Sequence, residues 1–252
     1  MGLITIATDY GSADGYTAVV KGVIKSIAPE TEIIDVTDSL ASVLKASIAL
    51  YRYFPHFPTG TVHLVVIDPT VGTKRRALAG TDGRSFFVGP DNGVFSMVIR
   101  NSTRTSWYKI QSEMLPAMGA SATFHGRDIF GPAAAMISTG QQLENLGAEL
   151  NDPYALNIPE PTKGGNHIIG EIIDIDTFGN LIINIPGSIL SNGAKVMLEG
   201  TAIPSGTTFA DVSPGMAVAY IGSIGFLEIA VNRGRADERF HAGVGSEVMV
   251  RS

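Results

Sequence analysis

The chain of 252 residues contains no cysteine. That excludes disulfides, thiolate nucleophiles and cysteine-bound zinc together, and it fits a reducing compartment. No basic run exceeds Lys74-Arg75-Arg76 and the net charge is −6, so nucleic acid is not an expected partner. No apolar stretch approaches the roughly 18 residues that a membrane helix needs. The opening MGLITIATDYG lacks the basic start and long apolar core of a secretory signal, and Ile6 stands where a myristoylation motif needs Ser or Thr. The expectation is a cytoplasmic protein with no membrane partner. No internal repeat or low-complexity segment is present. Core-forming residues are plentiful: 44% hydrophobic against 17% charged describes a packed globular chain and not a disordered one. The length suits one large domain or two modest ones.

The first half alternates strand and helix patterns. LITIAT (3–8) is a short β-rich run, and DYGSADG after it is rich in turn residues. In YTAVVKGVIKSIAPE, Val19, Val20, Val23, Ile24 and Ile27 fall on one helical side, with Pro29 beyond the end. TEIIDVT reads as a strand, and ASVLKASIALYRYF as a second amphipathic helix stopped by Pro55. TVHLVVID is nearly all apolar, as a strand covered on both faces is. RSFFVGPDNGVFSMVI reads as strand, loop and helix, and GPAAAMISTG as a helix closed by Gly140. This order predicts an α/β domain with a mostly parallel central sheet over residues 1–157. IPEPTKGGN marks a linker at 158–167. From 168 to 252 the runs IIGEIIDID, LIINI, AKVMLEG, MAVAYIG, FLEIAVN and EVMVRS are separated by turns, which predicts a small antiparallel sheet or β-barrel.

In an open α/β sheet, ligands bind outside the carboxyl ends of the strands. Four polar clusters fall at that edge: TDYGSADG, IDPTVGTKRR, GPDNG and FHGRDIF. Asp and Gly are ordinary turn residues, so one such loop carries little weight, and four at one edge point to a site. Asp9 at a strand end can accept two hydrogen bonds from a ribose diol, or cap the following helix. The glycine spacing is not G-x-G-x-x-G, so a nucleoside fits better than a dinucleotide. Asp68 and Arg75 are seven residues apart across DPTVGTKR, where Pro69 and Gly72 allow the loop to double back; Arg76 is the neighbouring alternative partner, and a purely structural ion pair is the plain reading. His125 is the one histidine in a compact polar motif, able to act as a base or to orient a water. With Asp128 alone nearby it is a weak metal signature, and no metal is expected. Arg127 and Asp128 are expected to pair with each other or to anchor the next helix. In IDTFGNLIINI, Phe178-Gly179-Asn180 connects two strands. It reads as a tight turn, or as a place where Asp176 and Asn180 bind an amino-acid head while Phe178 stacks on a base. Ser223 and the segment ending in NRG belong to the same domain.

Six stretches in order, TDYGSADGY, VVIDPTVGTKRR, FVGPDNGVF, FHGRDIFGPAA, IDTFGNLIINI and SIGFLEIAVNRG, resemble the S-adenosyl-L-methionine (SAM) hydroxide adenosyltransferases, the adenosine-forming SAM hydrolases related to fluorinase and chlorinase. The resemblance covers nearly the whole chain. It implies a Rossmann-like N-terminal α/β domain and a C-terminal β-barrel. It also implies a homotrimer whose sites lie between the first domain of one subunit and the second of the next. It implies that SAM is the substrate, adenosine and L-methionine the products, and that no cofactor is needed. By position, Asp68, Arg75 and His125 match the set that handles the water. Asp9 matches the ribose ligand and Asp14 a ligand of the methionine amine. Asp176, Phe178, Asn180 and Ser223 match the second half of the pocket, and Val231 to Arg233, with Asn232 between them, the segment that reads adenine. Thr70 stands where these hydrolases usually have Gly.

Two other readings stay open at this level. A SAM-dependent halogenase needs a dry, neutral halide pocket. Fluorinase has Ser in the segment matching Gly126, and the halogenases carry an aromatic residue near position 70 without the Asp–Arg pair. The second alternative is a non-catalytic binder of SAM or adenosine. A methyltransferase fits less well, because its glycine-rich loop is missing.

Overall fold

The computed structural model describes residues 2–117, 121–190 and 194–251. The chain divides into two compact units, Met1–Leu156 and Asn157–Ser252. Among the described residues no helix is long and apolar enough to cross a membrane.

The first unit is built around a seven-stranded sheet. Its strands are β1 (Leu3–Thr8), β2 (Glu32–Thr37), β3 (Val62–Val66), β4 (Ala77–Thr81), β5 (Phe86–Pro90), β6 (Ser106–Lys109) and β7 (Glu149–Leu150). The order across the sheet is β2-β1-β3-β5-β4-β6-β7. The strands β2, β1, β3 and β5 run parallel, whereas β4, β6 and β7 continue antiparallel from β5. The expected parallel arrangement holds for the β2-β1-β3-β5 part, and the sheet as a whole is mixed. Its antiparallel edge is the part that the helix–strand alternation does not announce.

Helices cover both faces because the strands alternate what they bury. Ile4 and Ile6 of β1 point one way, with Leu64 and Val66 of β3, against helices α1 (Tyr16–Ile27) and α4 (Gly131–Ser138). Ala7 and Val65 point the other way and meet Leu50, Phe54, Phe87, Phe95 and Trp107, beside α2 (Val43–Tyr53) and α3 (Ser96–Asn101). α1 buries Val20, Val23 and Ile24. α2 starts where the Ser42 hydroxyl accepts the Lys45 N–H at 3.2 Å, a side-chain cap that satisfies one orphan donor. The loops that leave β1, β3 and β5 at their carboxyl ends carry three of the polar clusters.

The second unit holds an eight-stranded sheet. Its strands are β8 (Thr162–Gly164), β9 (His167–Ile175), β10 (Leu181–Pro186), β11 (Lys195–Leu198), β12 (Thr201–Ile203), β13 (Ala217–Ile221), β14 (Phe226–Val231) and β15 (Glu247–Arg251), with one short helix, α5 (Ala236–Phe240). The main path runs β12-β11-β15-β9-β10-β14-β13, all antiparallel, with β8 paired to β9. Beyond β12, Gly206 N–H bonds to Ala219 O of β13, and Ala219 N–H bonds to Pro204 O, both at 2.9 Å. Those bonds bring the two ends of the path together, so the sheet is a nearly closed barrel. Ile172, Leu181, Ile183, Val196, Ile229 and Val248 fill its interior.

Candidate active site

The loop after β3 doubles back on itself. Val71 N–H bonds to Asp68 O and Thr73 N–H to Thr70 O, each at 3.2 Å, two turns in succession. This returns Arg75 to Asp68. Arg75 Nε donates to Asp68 Oδ1 at 3.0 Å and to Oδ2 at 2.9 Å, and Nη2 donates to the same Oδ2. The two side chains are 7% and 6% exposed, so this is a buried, charge-assisted fork that fixes the carboxylate in direction. The Thr70 hydroxyl donates to Asp68 Oδ1 at 3.1 Å, a bond that Gly cannot make. The Arg75 guanidinium also lies over the Phe130 ring, 5.1 Å from its centroid.

Arg76 points elsewhere. Its Nε donates to Asp91 Oδ2 at 2.5 Å, its Nη1 to Asp152 Oδ1 at 2.8 Å and its Nη2 to Asp152 O at 2.7 Å. Its carbonyl accepts Asp91 N–H at 3.0 Å. The adjacent arginines are thus separated: Arg75 belongs to Asp68, and Arg76 pins the loop to the GPDNG segment.

His125 joins the pair through Arg75. Its Nδ1 lies 2.7 Å from Arg75 Nη2, and since guanidinium only donates, Nδ1 accepts. The neutral ring then carries its proton on Nε2. Burial, and after it the Arg75 charge, hold the His125 pKa below the ordinary imidazole value, while Asp68 and Asp128 pull weakly the other way. The residues after His125 form one π-helical turn, Gly126–Phe130, which runs into α4. Such wide turns recur at functional sites because they redirect side chains. Arg127 Nε and Asp128 Oδ1 pair at 2.6 Å, and Asp128 Oδ2 accepts Ser121 N–H at 2.8 Å, so this neighbouring pair anchors the loop as expected.

Asp9 stands beside the cluster. Desolvation raises its pKa, its own and Asp68's backbone N–H groups lower it, and the Asp68 charge adds a further rise. Asp14 is exposed on the same β1–α1 loop, and no hydrogen bond joins it to Asp68, Arg75 or His125. Sequence reasoning missed Tyr10. A Cβ on Gly126 would sit 2.3 Å from the Tyr10 hydroxyl oxygen, so that hydroxyl occupies the space where any side chain at 126 would go. Burial first, then the charges of Asp9 and Asp68, push the Tyr10 phenol pKa up, so it stays a neutral donor. An aromatic next to Asp9 was the available signal, but in sequence it is indistinguishable from core.

The second unit assembles its own group. Asp176 Oδ1 accepts the N–H of Phe178 and of Asn180, both at 2.9 Å, and Oδ2 accepts Asn180 Nδ2 at 2.9 Å. The turn needs Gly179 at φ +82°, and a Cβ there would meet Asp237 Oδ1 at 2.5 Å. Arg235 straps the turn, donating to Thr177 O and to Asp237. Phe178 is left 74% exposed. Ser223 is exposed in the β13–β14 hairpin, and Arg233, at φ +56°, is exposed just past β14. Asn232 is different: its Nδ2 donates to Val212 O at 2.7 Å, which occupies its side chain within the fold. Among the described residues no group of three or more His, Asp or Glu is arranged to hold a metal ion.

Residues 4–147 match the model of the SAM hydroxide adenosyltransferase N-terminal domain, and residues 170–249 that of its C-terminal domain. The chain belongs to the SAM hydroxide adenosyltransferase family. An (R)-S-adenosyl-L-methionine hydrolase of Thermus thermophilus is 38% identical over 240 residues, 92% of each chain. One of the same name from Salinispora tropica is 34% identical, covering 98% of this chain and 97% of that one. A crystal structure of a conserved protein from Thermotoga maritima superposes with a TM-score of 0.89 at 37% identity, covering 99% of this chain and all of the other. The hydroxide adenosyltransferase domains of this chain therefore carry the Asp68–Arg75–His125 cluster in the first and the Asp176 turn in the second.

Proposed function

We propose that the protein hydrolyses SAM to adenosine and L-methionine, by attack of a water on the ribose C5′. The observation that carries this is the buried Asp68–Arg75 pair joined to the half-buried His125, with Asp9 beside it, in a member of this family. The sulfonium leaves as a neutral thioether and needs no proton donor, so the enzyme's task is to place a water in line with C5′ and sulfur. Positioning alone is worth roughly 7–11 kcal/mol in the best intramolecular cases. Bulk water, with a pKa of about 15.7, also needs help in losing a proton. In our reading His125 presents Nε2–H to the water oxygen, since its Nδ1 is committed to Arg75. Asp68, aimed by Arg75 and Thr70, accepts the proton as the new C–O bond forms. The neighbouring cation favours hydroxide-like character in the nucleophile. Asp9 takes the ribose diol and Asp14 the methionine amine, and no cofactor takes part.

The parallel half of the first sheet is used as a Rossmann-like sheet would use it, with ligand at the carboxyl edge. Asp176, Asn180 and Ser223 contact the methionine end, Phe178 stacks on the base, and the backbone from Val231 to Arg233, past Asn232, reads adenine. The exposure of Phe178 supports a homotrimer in which this group faces the first domain of a neighbouring subunit. Incubation with SAM in H₂¹⁸O tests the reaction. Adenosine labelled at the 5′-oxygen, with unlabelled methionine, is the expected result, and it should be lost in Asp68→Ala and His125→Ala. A halogenated nucleoside when chloride is added would transfer the assignment to a halogenase. Bound SAM with no product would leave a binding protein.

A further inference from the structure

Tyr10, next to Asp9 in the chain and packed onto the residue after His125, has no role in the scheme above. Its ring is wedged against Tyr16 and Phe124, with centroids 6.1 Å and 5.9 Å away, and those two rings lie 5.2 Å from each other. Three mutually supporting rings leave the Tyr10 side chain little freedom. Its hydroxyl fills the volume above Gly126, the residue directly after His125. Tyr10 follows Asp9 in the chain, and its hydroxyl sits where a side chain on the residue after His125 would go, so the ring spans from the Asp9 loop to the His125 turn. A bulky, immobile side chain at the edge of a reacting compartment decides what else fits there.

We propose that Tyr10 is a specificity-determining residue: its ring and hydroxyl, standing in the space left by Gly126, bound the compartment of the nucleophile so that water enters and anything larger does not. The inference rests on the hydrolase reading and adds to it a reason for choosing water. A pocket that fits one methyl group too few discriminates on the order of 10–200-fold. Methanol is the matching probe, since it is neutral like water and differs from it by one methyl group. If methanol attacks, its oxygen bonds to C5′ as the C5′–S bond breaks. The electron pair leaves with methionine sulfur, the hydroxyl proton passes to Asp68 or solvent, and the product is 5′-O-methyladenosine.

The experiment measures the ratio of 5′-O-methyladenosine to adenosine formed from SAM in molar methanol, for the wild type, Tyr10→Leu and Tyr10→Phe. The ratio is read only from active molecules, so partial unfolding of a variant does not change it. The wild type is expected to give adenosine almost alone. Tyr10→Leu should raise the ratio by about tenfold. Tyr10→Phe, which keeps the ring and removes the oxygen closest to Gly126, should fall between the two. If Tyr10→Leu does not fold, a rise in Tyr10→Phe still supports the proposal. Ratios equal to the wild type in every folded variant overturn it while leaving the hydrolase reading intact. A wild type that makes no adenosine overturns the hydrolase reading, and this proposal with it.

Discussion

At the scale of single residues, Arg75 has two separable properties, its fork and its charge. The fork holds both oxygens of Asp68, and the charge depresses the pKa of His125. Arg75→Lys keeps the charge and loses the planar fork. Its kcat should fall on the order of 10²-fold, the usual cost of misplacing a reacting group by about 1 Å. The acid limb of its pH profile should stay near the wild-type position. Arg75→Gln loses the charge as well. With His125 required as the neutral ring, activity is lost on protonation, so the wild-type acid limb lies below the ordinary imidazole value of 6.5. Removing Arg75's charge lets the His125 pKa rise, and the limb should move to higher pH. Profiles of kcat/KM from pH 4.5 to 8 check both variants. A limb that is the same in Arg75→Gln and the wild type would count against His125 as the titrating group.

The same residues mark what sequence could and could not tell. The spacing of Asp68 and Arg75 across a Pro- and Gly-containing loop announces their meeting, because seven residues with two turn formers reach back on themselves. Spacing alone does not choose between Arg75 and Arg76, since neighbours point to opposite sides and either fits the loop; the family resemblance is what singles out Arg75. That His125 joins them rests on packing between residues 50 positions apart, which no local pattern encodes.

At the scale of elements, strands with β-branched runs and helices with clear apolar stripes were legible: β1, β3, α1, α2 and most of the barrel. The antiparallel edge was not. Ala77–Thr81 is ALAGT, with neither alternation nor a run of branched residues, and it is a strand because β5 and β6 pair with it on both sides. The turn between β9 and β10 is the opposite case, where local chemistry fixes the shape. One carboxylate, Asp176, gathers two backbone N–H groups and an amide, and Gly179 supplies the left-handed residue. Gly179→Ala places an L side chain at φ +82° and drives its Cβ into Asp237 and Arg235. The left-handed conformation alone costs roughly 1–2 kcal/mol. Denaturant melts should show a lower midpoint and an unfolding free energy reduced by that amount, with adenosine formation reduced further as Asp176 and Phe178 shift. An unchanged midpoint would mean that the turn relaxes freely.

At the scale of the whole molecule, stability should depend on pH through a residue far from the chemistry. His63 is fully buried among Tyr53, Phe54, Phe57 and Phe87, with Nδ1 2.8 Å from the Thr5 hydroxyl and Nε2 without a hydrogen-bond partner among the described residues. Burial lowers its pKa from 6.5 to about 3, with Asp82 opposing and Arg84 adding to the shift. The unfolded chain therefore takes up this proton before the folded one. The folded state loses stability as pH falls below about 6.5, by up to about 5 kcal/mol near pH 3. His63→Phe should lose part of the wild type's drop in urea midpoint between pH 7 and pH 4.5. An equally steep drop would assign the acid sensitivity to other groups.

The two adjacent arginines carry a consequence for how this gene can change. Arg75 and Arg76 serve opposite sides of one loop, so their roles are set by counting from Asp68. Deleting a single codon between 69 and 74 would bring Arg76 to the place of Arg75, strip Asp91 and Asp152 of their partner, and supply Ala77 where a second arginine is needed. Inserting one would do comparable harm in the other direction. Descendants of this gene should vary in the letters of that loop and hold its length constant.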